Sequence, residues 1–236
     1  MIAQRPWHPV PIVDSDEPLL PLPAALLRLE PHPYVAVGAP YGPGQCPFQL
    51  RQGVVQRLLE AQAWLQQQQP TWRLAIVDGW RPLAVQRHMV THAIAEQCRI
   101  QGVDPAVPSP RLVAIQAEVG RFWAPPSDDP TTPPPHSTGA AVDLTIATGS
   151  GAVLDMGGAI DAIGAVSEPD HYAQRALAAP QGPEALWHNR RHLLRASMAS
   201  AGFCQHPNEW WHFSWGDQLW AWRGGHPQAC YGRLDP

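Results

Sequence analysis

Four stretches of the chain repeat apolar residues at the spacing of an amphipathic helix. The first helix is predicted over residues 49–69, and Pro70 ends it. Six residues lie at helical spacing on one face of it: Val54, Val55, Leu58, Leu59, Gln62 and Leu65. The second helix begins at Pro82, whose missing N–H does no harm in a first turn, and runs to Gly102, a typical residue for a helix end.

Two further helices are predicted downstream. One lies around residues 111–123 and leads into the loop SDDPTTPPP, which is stiff because each proline fixes its own φ angle. The other covers PEALWHNRRHLLRASMASAGF and ends at Gly202. We expect one face of this last helix to contain Leu186, Arg190, Leu193, Leu194, Ser197, Met198 and Ala201.

Strands are predicted between these helices. Residues 72–77 form a short apolar strand that ends at DGWRP, and residues 141–146 alternate apolar and polar side chains. The glycine-rich residues 147–164 have the composition of a hairpin and a loop, and the last strand is the aromatic EWWHFSW. Because helices and strands mix without a regular βαβ alternation, the pattern favours an α+β fold with helices packed on a central antiparallel sheet.

The first 48 residues differ from the rest of the chain in their proline content. Closely spaced prolines exclude a long helix, so we expect short extended pieces such as PYVAVGAP. We predict that residues 1–48 form a Pro-rich N-terminal arm that wraps around the domain. The 236 residues contain no internal repeat and no linker, and they are predicted to form a single domain, residues 1–236.

Composition argues against several classes of function. The formal net charge is -4 and the 16 basic residues form no cluster, so we expect no nucleic-acid partner. The chain has no run of about 18 apolar residues, so we expect no membrane span. The four cysteines form no CxxC pair and are predicted to be free thiols in a reducing compartment. Since no signal-peptide pattern is present, a cytoplasmic location is expected.

The first candidate for chemistry is PPPHSTGAAVDLTI, where His136 and Asp143 lie seven residues apart. The pleat of the strand turns Asp143 away from the core side. Gly139 and the two alanines after it leave room for something to approach the backbone closely. In isolation, the simpler interpretation is a surface histidine and an aspartate that caps a turn.

A second pair of candidate residues favours a metal site over that simpler interpretation. EWWHFSW contains Glu209 and His212 three residues apart, which a regular strand would point to opposite faces. They converge only if the strand is irregular at Glu209, and HPNE supplies a turn there. Two histidines, an aspartate and a nearby glutamate suit catalytic zinc, which takes three protein ligands and leaves a fourth position for water, with Glu209 as the carboxylate base.

Peptide hydrolysis explains why these residue types are needed together. Zinc lowers the pKa of bound water from ~15.7 to about 7, and a carboxylate such as Glu209 moves the water's proton to the leaving amine. The developing oxyanion also calls for a fixed positive charge. Arg81, at the corner between a strand and a helix, is a candidate for that charge. The alternative is a structural ion pair between Arg81 and Asp78.

These residues resemble the VanX-type D-alanyl-D-alanine dipeptidases, zinc enzymes that share a fold with zinc D-Ala-D-Ala carboxypeptidases and the hedgehog domain. Five motifs match in order over most of the chain: DGWRP, HSTGAAVD against the family's SxHxxGxAxD, LDMGGAID, NRRHLL with AGF, and EWWHFSW against ExWH. The resemblance implies one Zn²⁺ per chain bound by His136, Asp143 and His212. It further implies that Glu209 is the general base and acid and that Arg81 stabilises the tetrahedral intermediate.

The resemblance also implies how a small dipeptide substrate is held. In that family a carboxylate after the MG turn and an N-terminal tyrosine bind the free ammonium group; Asp161 matches the first and Tyr34 the second. Two features depart from the family pattern. Pro134 stands where the family has a serine, which removes a hydroxyl donor near the substrate, and YVAVGAPYG replaces the usual YATxNFxG around the tyrosine.

The implied function is zinc-dependent hydrolysis of D-alanyl-D-alanine, or of a close D,D-dipeptide, to free amino acids. One alternative is a D,D- or L,D-carboxypeptidase that acts on peptidoglycan peptides. Another is a non-catalytic, hedgehog-like zinc-binding module, against which Glu209 argues because a structural zinc needs no adjacent base. The Trp-rich segment WGDQLWAWRGGHPQACYG has the composition of a homodimer interface or, alternatively, of a packed edge strand.

Overall fold

The computed structural model describes residues 5–234, so the first four residues of the predicted arm and the last two of the predicted domain lie outside the described residues. In this part of the chain the strands are β1 (Leu19–Pro21), β2 (Leu27–Arg28), β3 (Gln49–Arg51), β4 (Arg73–Asp78), β5 (Ala141–Ala147), β6 (Cys204–Gln205) and β7 (His212–Ser214). The helices are α1 (Pro33–Ala36), α2 (Gln52–Gln68), α3 (Leu83–Gln101), α4 (Pro110–Phe122), α5 (Ala173–Ala178), α6 (Pro183–Ser200) and α7 (Gln218–Gly224).

The sheet confirms the predicted α+β fold. Five strands form it in the order β2-β4-β5-β7-β6, and β1 pairs with β3 separately. The pairs β4–β5, β5–β7 and β7–β6 are antiparallel, whereas the edge strand β2 runs parallel to β4. This edge strand comes from the predicted arm, so the arm extends the central sheet in addition to packing around it.

Two apolar clusters flank the sheet. The larger one packs α2 and α6 against the face that contains Val142, Leu144 and Ile146, as the alternation in β5 predicts. The smaller one joins α3 to α4 and includes Tyr34 and Trp123. Because every residue of β5 is buried, the face that contains Asp143 is covered by protein and not by solvent. The polar side chains of that face therefore lie inside the molecule.

The helix predictions hold with local corrections. Residues 49–51 are strand β3 and not the first turn of α2, and PYVA in the arm is the short helix α1 and not extended chain. Leu59 and Leu186 were predicted on buried faces, but they are 36% and 49% exposed. In both helices the buried face is rotated towards smaller or polar residues, which include Ala61, Ala185 and Arg191.

The C-terminal aromatic segment is also corrected. It forms helix α7 instead of an edge strand, because Asp217 caps the helix by accepting a hydrogen bond from the Trp220 N–H at 2.8 Å. Gly225 ends α7 in the left-handed conformation. None of the helices formed by residues 5–234 combines the length and the apolar character that crossing a membrane requires. The four cysteines are free thiols, as predicted.

Arg51 fastens the arm to the domain. Its guanidinium is buried and donates to the carbonyls of Thr138 at 2.9 Å and Glu17 at 2.6 Å. It also pairs with the Asp14 carboxylate at 2.9 Å and donates to the Gly232 carbonyl at 3.1 Å. One side chain thus joins the arm, the turn before β5 and the C-terminal end of the chain.

The sequence suggests that the space beside Gly139 is open for a metal ion or a substrate, but it is not. Its φ angle of +70° lies in the left-handed region, and a Cβ atom there would lie 2.6 Å from Leu19 Cδ2 of β1. The space beside the glycine is therefore filled by the arm, and not by a metal ion or a substrate. The left-handed backbone favours glycine, and a Cβ atom would in addition force the Leu19 side chain to shift.

We predict that Gly139→Ala lowers the free energy of unfolding by about 2–4 kcal/mol, from the left-handed backbone and the overpacking together. Gly151→Ala is a matched control, because Gly151 has a φ angle of +86° but no atom within 4 Å of its added Cβ. This control should lose only about 1 kcal/mol. Urea unfolding of both variants measures the difference. Equal losses would show that the contact with Leu19 contributes nothing.

Candidate active site

A row of three polar side chains crosses the middle of the sheet. Asp143 of β5 lies opposite Asp78 of β4 on one side and opposite His212 of β7 on the other. Residues directly opposite each other on antiparallel strands point to the same face. A bulge between Ile76 and Asp78 shifts the register of β4 and turns Asp78 to the side of Asp143. The row therefore depends on an irregularity that the sequence pattern does not reveal.

His136 reaches this row from the 3-10 turn that precedes β5, residues Pro135–Thr138. Its Nε2 atom lies 3.1 Å from Asp143 Oδ2 and 3.2 Å from His212 Nδ1. His212 Nδ1 in turn lies 3.1 Å from Asp143 Oδ1. The structure thus brings together the three residues that the sequence proposes as metal ligands.

The chemistry of this cluster fits a divalent metal ion. One ligand atom from each of His136, Asp143 and His212 lies within 4.8 Å of the others. The Nδ1 atom of His136 lies 2.8 Å from the Gly79 carbonyl, which fixes its proton there and leaves Nε2 as a free lone pair. Asp143 Oδ1 is buried, and its 3.1 Å contact with His212 Nδ1 lacks the alignment of a hydrogen bond, so no group among residues 5–234 donates one to it. A metal ion bound here would be coordinated by this oxygen.

The two histidines hold Asp143 ionised. Burial raises the pKa of Asp143, but His136 and His212 lower it by more, so the pKa lies well below its usual range. His212 shows the opposite balance: burial lowers its pKa, and the Asp143 carboxylate raises it to above the usual value. When both histidines are neutral, the Asp143 carboxylate makes the cluster an anionic site that attracts a cation.

Glu209 lies beside this cluster because β7 begins only at His212. The five residues before His212 form turns, bends and irregular chain, with Glu209 in the irregular part, so Glu209 and His212 are not constrained to opposite faces. Glu209 Oε2 is 3.7 Å from His212 Nδ1, and Oε1 is 3.1 Å from His206 Nδ1. Burial raises the pKa of Glu209 to about 8, and the charges of Asp143 and Asp161 act in the same direction. A nearby cation would lower that pKa.

Arg81 makes the contacts that each of its two proposed roles requires, the structural ion pair and the stabilisation of an oxyanion. Its Nε and Nη2 atoms lie 2.9 and 2.7 Å from Asp78 Oδ2, which is the structural ion pair. Nη2 also lies 3.3 Å from Asp143 Oδ2 and 3.2 Å from the Tyr34 hydroxyl. The Arg81 backbone N–H donates to the His136 carbonyl at 3.1 Å. The ion pair with Asp78 therefore holds a permanent cation against the candidate metal ligands.

Asp161 lines one cleft together with the three candidate ligands and Glu209, and Tyr34 contacts Asp161. The Tyr34 hydroxyl donates to Asp161 Oδ2 at 2.9 Å, and Asp161 has a φ angle of 64°, which is rare for residues other than glycine. Burial, together with the charge of Asp143, raises the pKa of Asp161 to about 7. Since backbone strain of this kind concentrates at functional sites, the conformation agrees with a binding role.

Arg191 of α6 holds the loop that contains Asp161. Its side chain is buried and donates to the Met156 carbonyl at 2.8 Å and to the Glu168 carbonyl at 3.1 Å. These two carbonyls lie before and after Asp161 in the chain. The contact links two motifs, NRRHLL and LDMGGAID, that are far apart in the sequence.

Pro134 is buried beside the 3-10 turn, two residues before His136. Its carbonyl accepts hydrogen bonds from the Ser137 N–H at 3.0 Å and from the Ser137 hydroxyl at 2.7 Å. The neighbouring hydroxyl is therefore engaged with the backbone and does not take the place of the serine that the family pattern has at position 134.

Several residues in and around the cleft were not predicted from the sequence. His206 contacts Glu209, and His32 Nε2 lies 3.1 Å from Asp78 Oδ1. Arg5 and Trp7 line the same cleft from the arm. The spacing of His206 and Glu209 in HPNE was a usable signal, because the turn brings residues three apart together. Nothing in the sequence around Arg5 or His32 indicates their positions.

The chain is similar to several known proteins. A D-alanyl-D-alanine dipeptidase of Synechocystis sp. is 42% identical over 241 residues, which cover 98% of this chain and 97% of that protein. A D-alanyl-D-alanine dipeptidase of Escherichia coli is 40% identical over 78 residues, 33% of this chain and 36% of that protein. A zinc-bound mutant of the vancomycin resistance D,D-pentapeptidase VanY, a solved structure, is 14% identical, with 77% of this chain and 81% of that chain covered and a TM-score of 0.43.

The family Peptidase_M15, described as D-ala-D-ala dipeptidase, matches residues 28–229. This range contains all seven residues that the sequence proposes for the site, from Tyr34 to His212. The match and the Synechocystis relative confirm the resemblance that the motifs indicate. The chain belongs to the Peptidase_M15 family of D-ala-D-ala dipeptidases.

Proposed function

We propose that this protein is a zinc-dependent dipeptidase that hydrolyses D-alanyl-D-alanine, or a close D,D-dipeptide, to free amino acids. The observation that carries the proposal is the convergence of His136, Asp143 and His212 beside Glu209 in one buried cleft. Two histidines and one carboxylate suit zinc, and they leave a coordination position open for catalysis. The relatives named D-alanyl-D-alanine dipeptidase support the substrate.

The residues of the cleft have different roles in hydrolysis. Zinc, when bound, supplies a Lewis acid that polarises the scissile carbonyl and acidifies water. Glu209 accepts the proton of the attacking water and donates it to the leaving amine, a transfer that its buried position beside His212 favours. Arg81, oriented by Asp78, stabilises the negative charge that develops on the tetrahedral intermediate.

Asp161 gives the cleft its preference for dipeptides. Its carboxylate, held by the Tyr34 hydroxyl, binds the free ammonium group of the substrate. A longer peptide has an amide where the dipeptide has this ammonium, so it would leave the buried carboxylate without a cationic partner. This cost favours a dipeptidase over a D,D- or L,D-carboxypeptidase.

Removal of zinc should lower both activity and stability. We expect the purified protein to contain about one zinc per chain, and a chelator to lower its Tm because the metal joins separate segments. Asp143→Asn should contain little zinc, and the chelator should leave its Tm unchanged. The control Asp170→Asn changes an exposed carboxylate and should behave like the wild type. Elemental analysis and thermal unfolding measure these outcomes; full zinc content in Asp143→Asn would refute the ligand assignment.

Glu209→Gln should separate catalysis from metal binding. We expect kcat to fall by about 100- to 10,000-fold, the usual contribution of a general base and acid, with the zinc content unchanged. Glu96→Gln, a change on the exposed side of α3, is the control and should keep full activity. Loss of zinc in Glu209→Gln would mean that Glu209 is a ligand and not the base.

The ammonium anchor predicts the choice between substrates. The wild type should cleave D-Ala-D-Ala and should fail to cleave its N-acetyl derivative or longer peptidoglycan stems. Asp161→Asn should lower kcat/KM for D-Ala-D-Ala by roughly 10- to 100-fold, as expected for one lost charged hydrogen bond, and should retain zinc. If the wild type cleaves the stems and leaves the dipeptide intact, a carboxypeptidase replaces the dipeptidase.

A further inference from the structure

Arg5 is a cation of the active-site cleft that the mechanism above does not use. It comes from the arm and, together with Trp7, lines the same cleft as His136 and Glu209. Its Nη2 atom donates to the carbonyl of Gly120 and, at 3.4 Å, to that of Trp123. These carbonyls belong to the C-terminal end of α4, where the helix dipole favours a positive charge. Neutral groups thus hold the guanidinium in the wall of the cleft.

The guanidinium of Arg5 has hydrogen-bonding capacity that the protein does not fill. Its Nε atom is buried and has no partner among residues 5–234, and no carboxylate within that range accepts a hydrogen bond from its side chain. Arg51 and Arg81 differ, because each pairs with an aspartate. A buried donor without a partner is costly, so an anion that enters the cleft would be bound favourably.

The contacts of Arg5 and of Asp161 lie at different parts of the cleft. Trp7 packs on His206 with ring centroids 5.6 Å apart, and His206 contacts Glu209. Burial lowers the pKa of Arg5, and Glu209 is the acidic residue whose charge acts against this shift. Asp161 instead contacts Tyr34, which is held by Arg81. Arg5 therefore reaches the cleft beside His206 and Glu209, whereas Asp161 reaches it beside Tyr34 and Arg81.

A dipeptide is a zwitterion with its charges at opposite ends and the scissile amide between them. We propose that Arg5 binds the free carboxylate of the dipeptide, a role that rests on the proposed function and extends its ammonium anchor to the other end of the substrate. The planar fork of arginine matches a carboxylate with two parallel hydrogen bonds. Arg5 also adds a donor to a cleft in which Pro134 offers none.

The test compares two substrates that differ only at this carboxylate, D-Ala-D-Ala and D-alanyl-D-alaninamide. In Arg5→Ala, kcat/KM for the acid should fall by about 10- to 100-fold, because a charged hydrogen bond is lost, while the value for the amide should change by less than about threefold. Arg5→Lys keeps the charge without the fork and should lose less. Arg99→Ala, which changes an exposed arginine of α3, is the control for both substrates.

Each outcome decides the matter. Equal losses for acid and amide would assign Arg5 a purely structural role, and no loss for the acid would remove it from the site; either result overturns the proposal. Zinc content and Tm of each variant show whether it is folded. If turnover of the amide is too slow to measure, binding gives the same comparison. The dissociation constants of the acid and the amide are then measured for the zinc-loaded Glu209→Gln variant and for the double variant that also contains Arg5→Ala. The wild-type rate on D-Ala-D-Ala tests the proposed function separately, and the role of Arg5 fails with it if that rate is zero.

Discussion

The ionised carboxylate of Asp143, buried at the centre of the sheet, is the constraint on which the rest of the structure depends. A charge that is 2% exposed is tolerated only where several groups stabilise it. His136, His212 and Arg81 each contact it, and each comes from a different segment of the chain. The bulge in β4, the turn before β5 and the late start of β7 all serve to bring these groups to one point.

The N-terminal arm also helps to position the groups around Asp143. Arg51 ties it to the turn that contains His136, and Leu19 fills the space that Gly139 leaves open. Because the turn is held from the outer side, His136 is positioned before any ligand binds, and less free energy is lost in ordering the site. The Pro-rich residues 1–48 thus contribute to the geometry of the active site, and Arg5 gives them a direct role in substrate binding under our proposal.

The main helices and the residue types of the site could be predicted from the sequence, but the geometry that brings the site residues together could not. Apolar periodicity located α2, α3, α4 and α6, and the chemistry of histidine and carboxylate singled out the ligand set. The bulge at Asp78 escaped because one extra residue in a strand leaves no trace in an alternation only six residues long. The space beside Gly139 was assigned to a metal ion or a substrate because a glycine indicates that another group approaches the backbone, but it does not identify that group. The group is the Leu19 side chain. Arg5 could not be found, since its position depends on how the whole arm packs.

The charges of the cleft explain why a metal ion and a zwitterion suit it together. Four carboxyl groups, those of Asp78, Asp143, Asp161 and Glu209, lie in or beside the cleft together with the guanidinium groups of Arg5 and Arg81. Fully ionised, this set has an excess of two negative charges, which burial makes costly and which contributes to the raised pKa of Asp161 and Glu209. A divalent cation offsets the excess. A dipeptide with one ammonium and one carboxylate then adds no net charge, so both of its ends can be bound by ionised side chains without a new imbalance in the buried cleft.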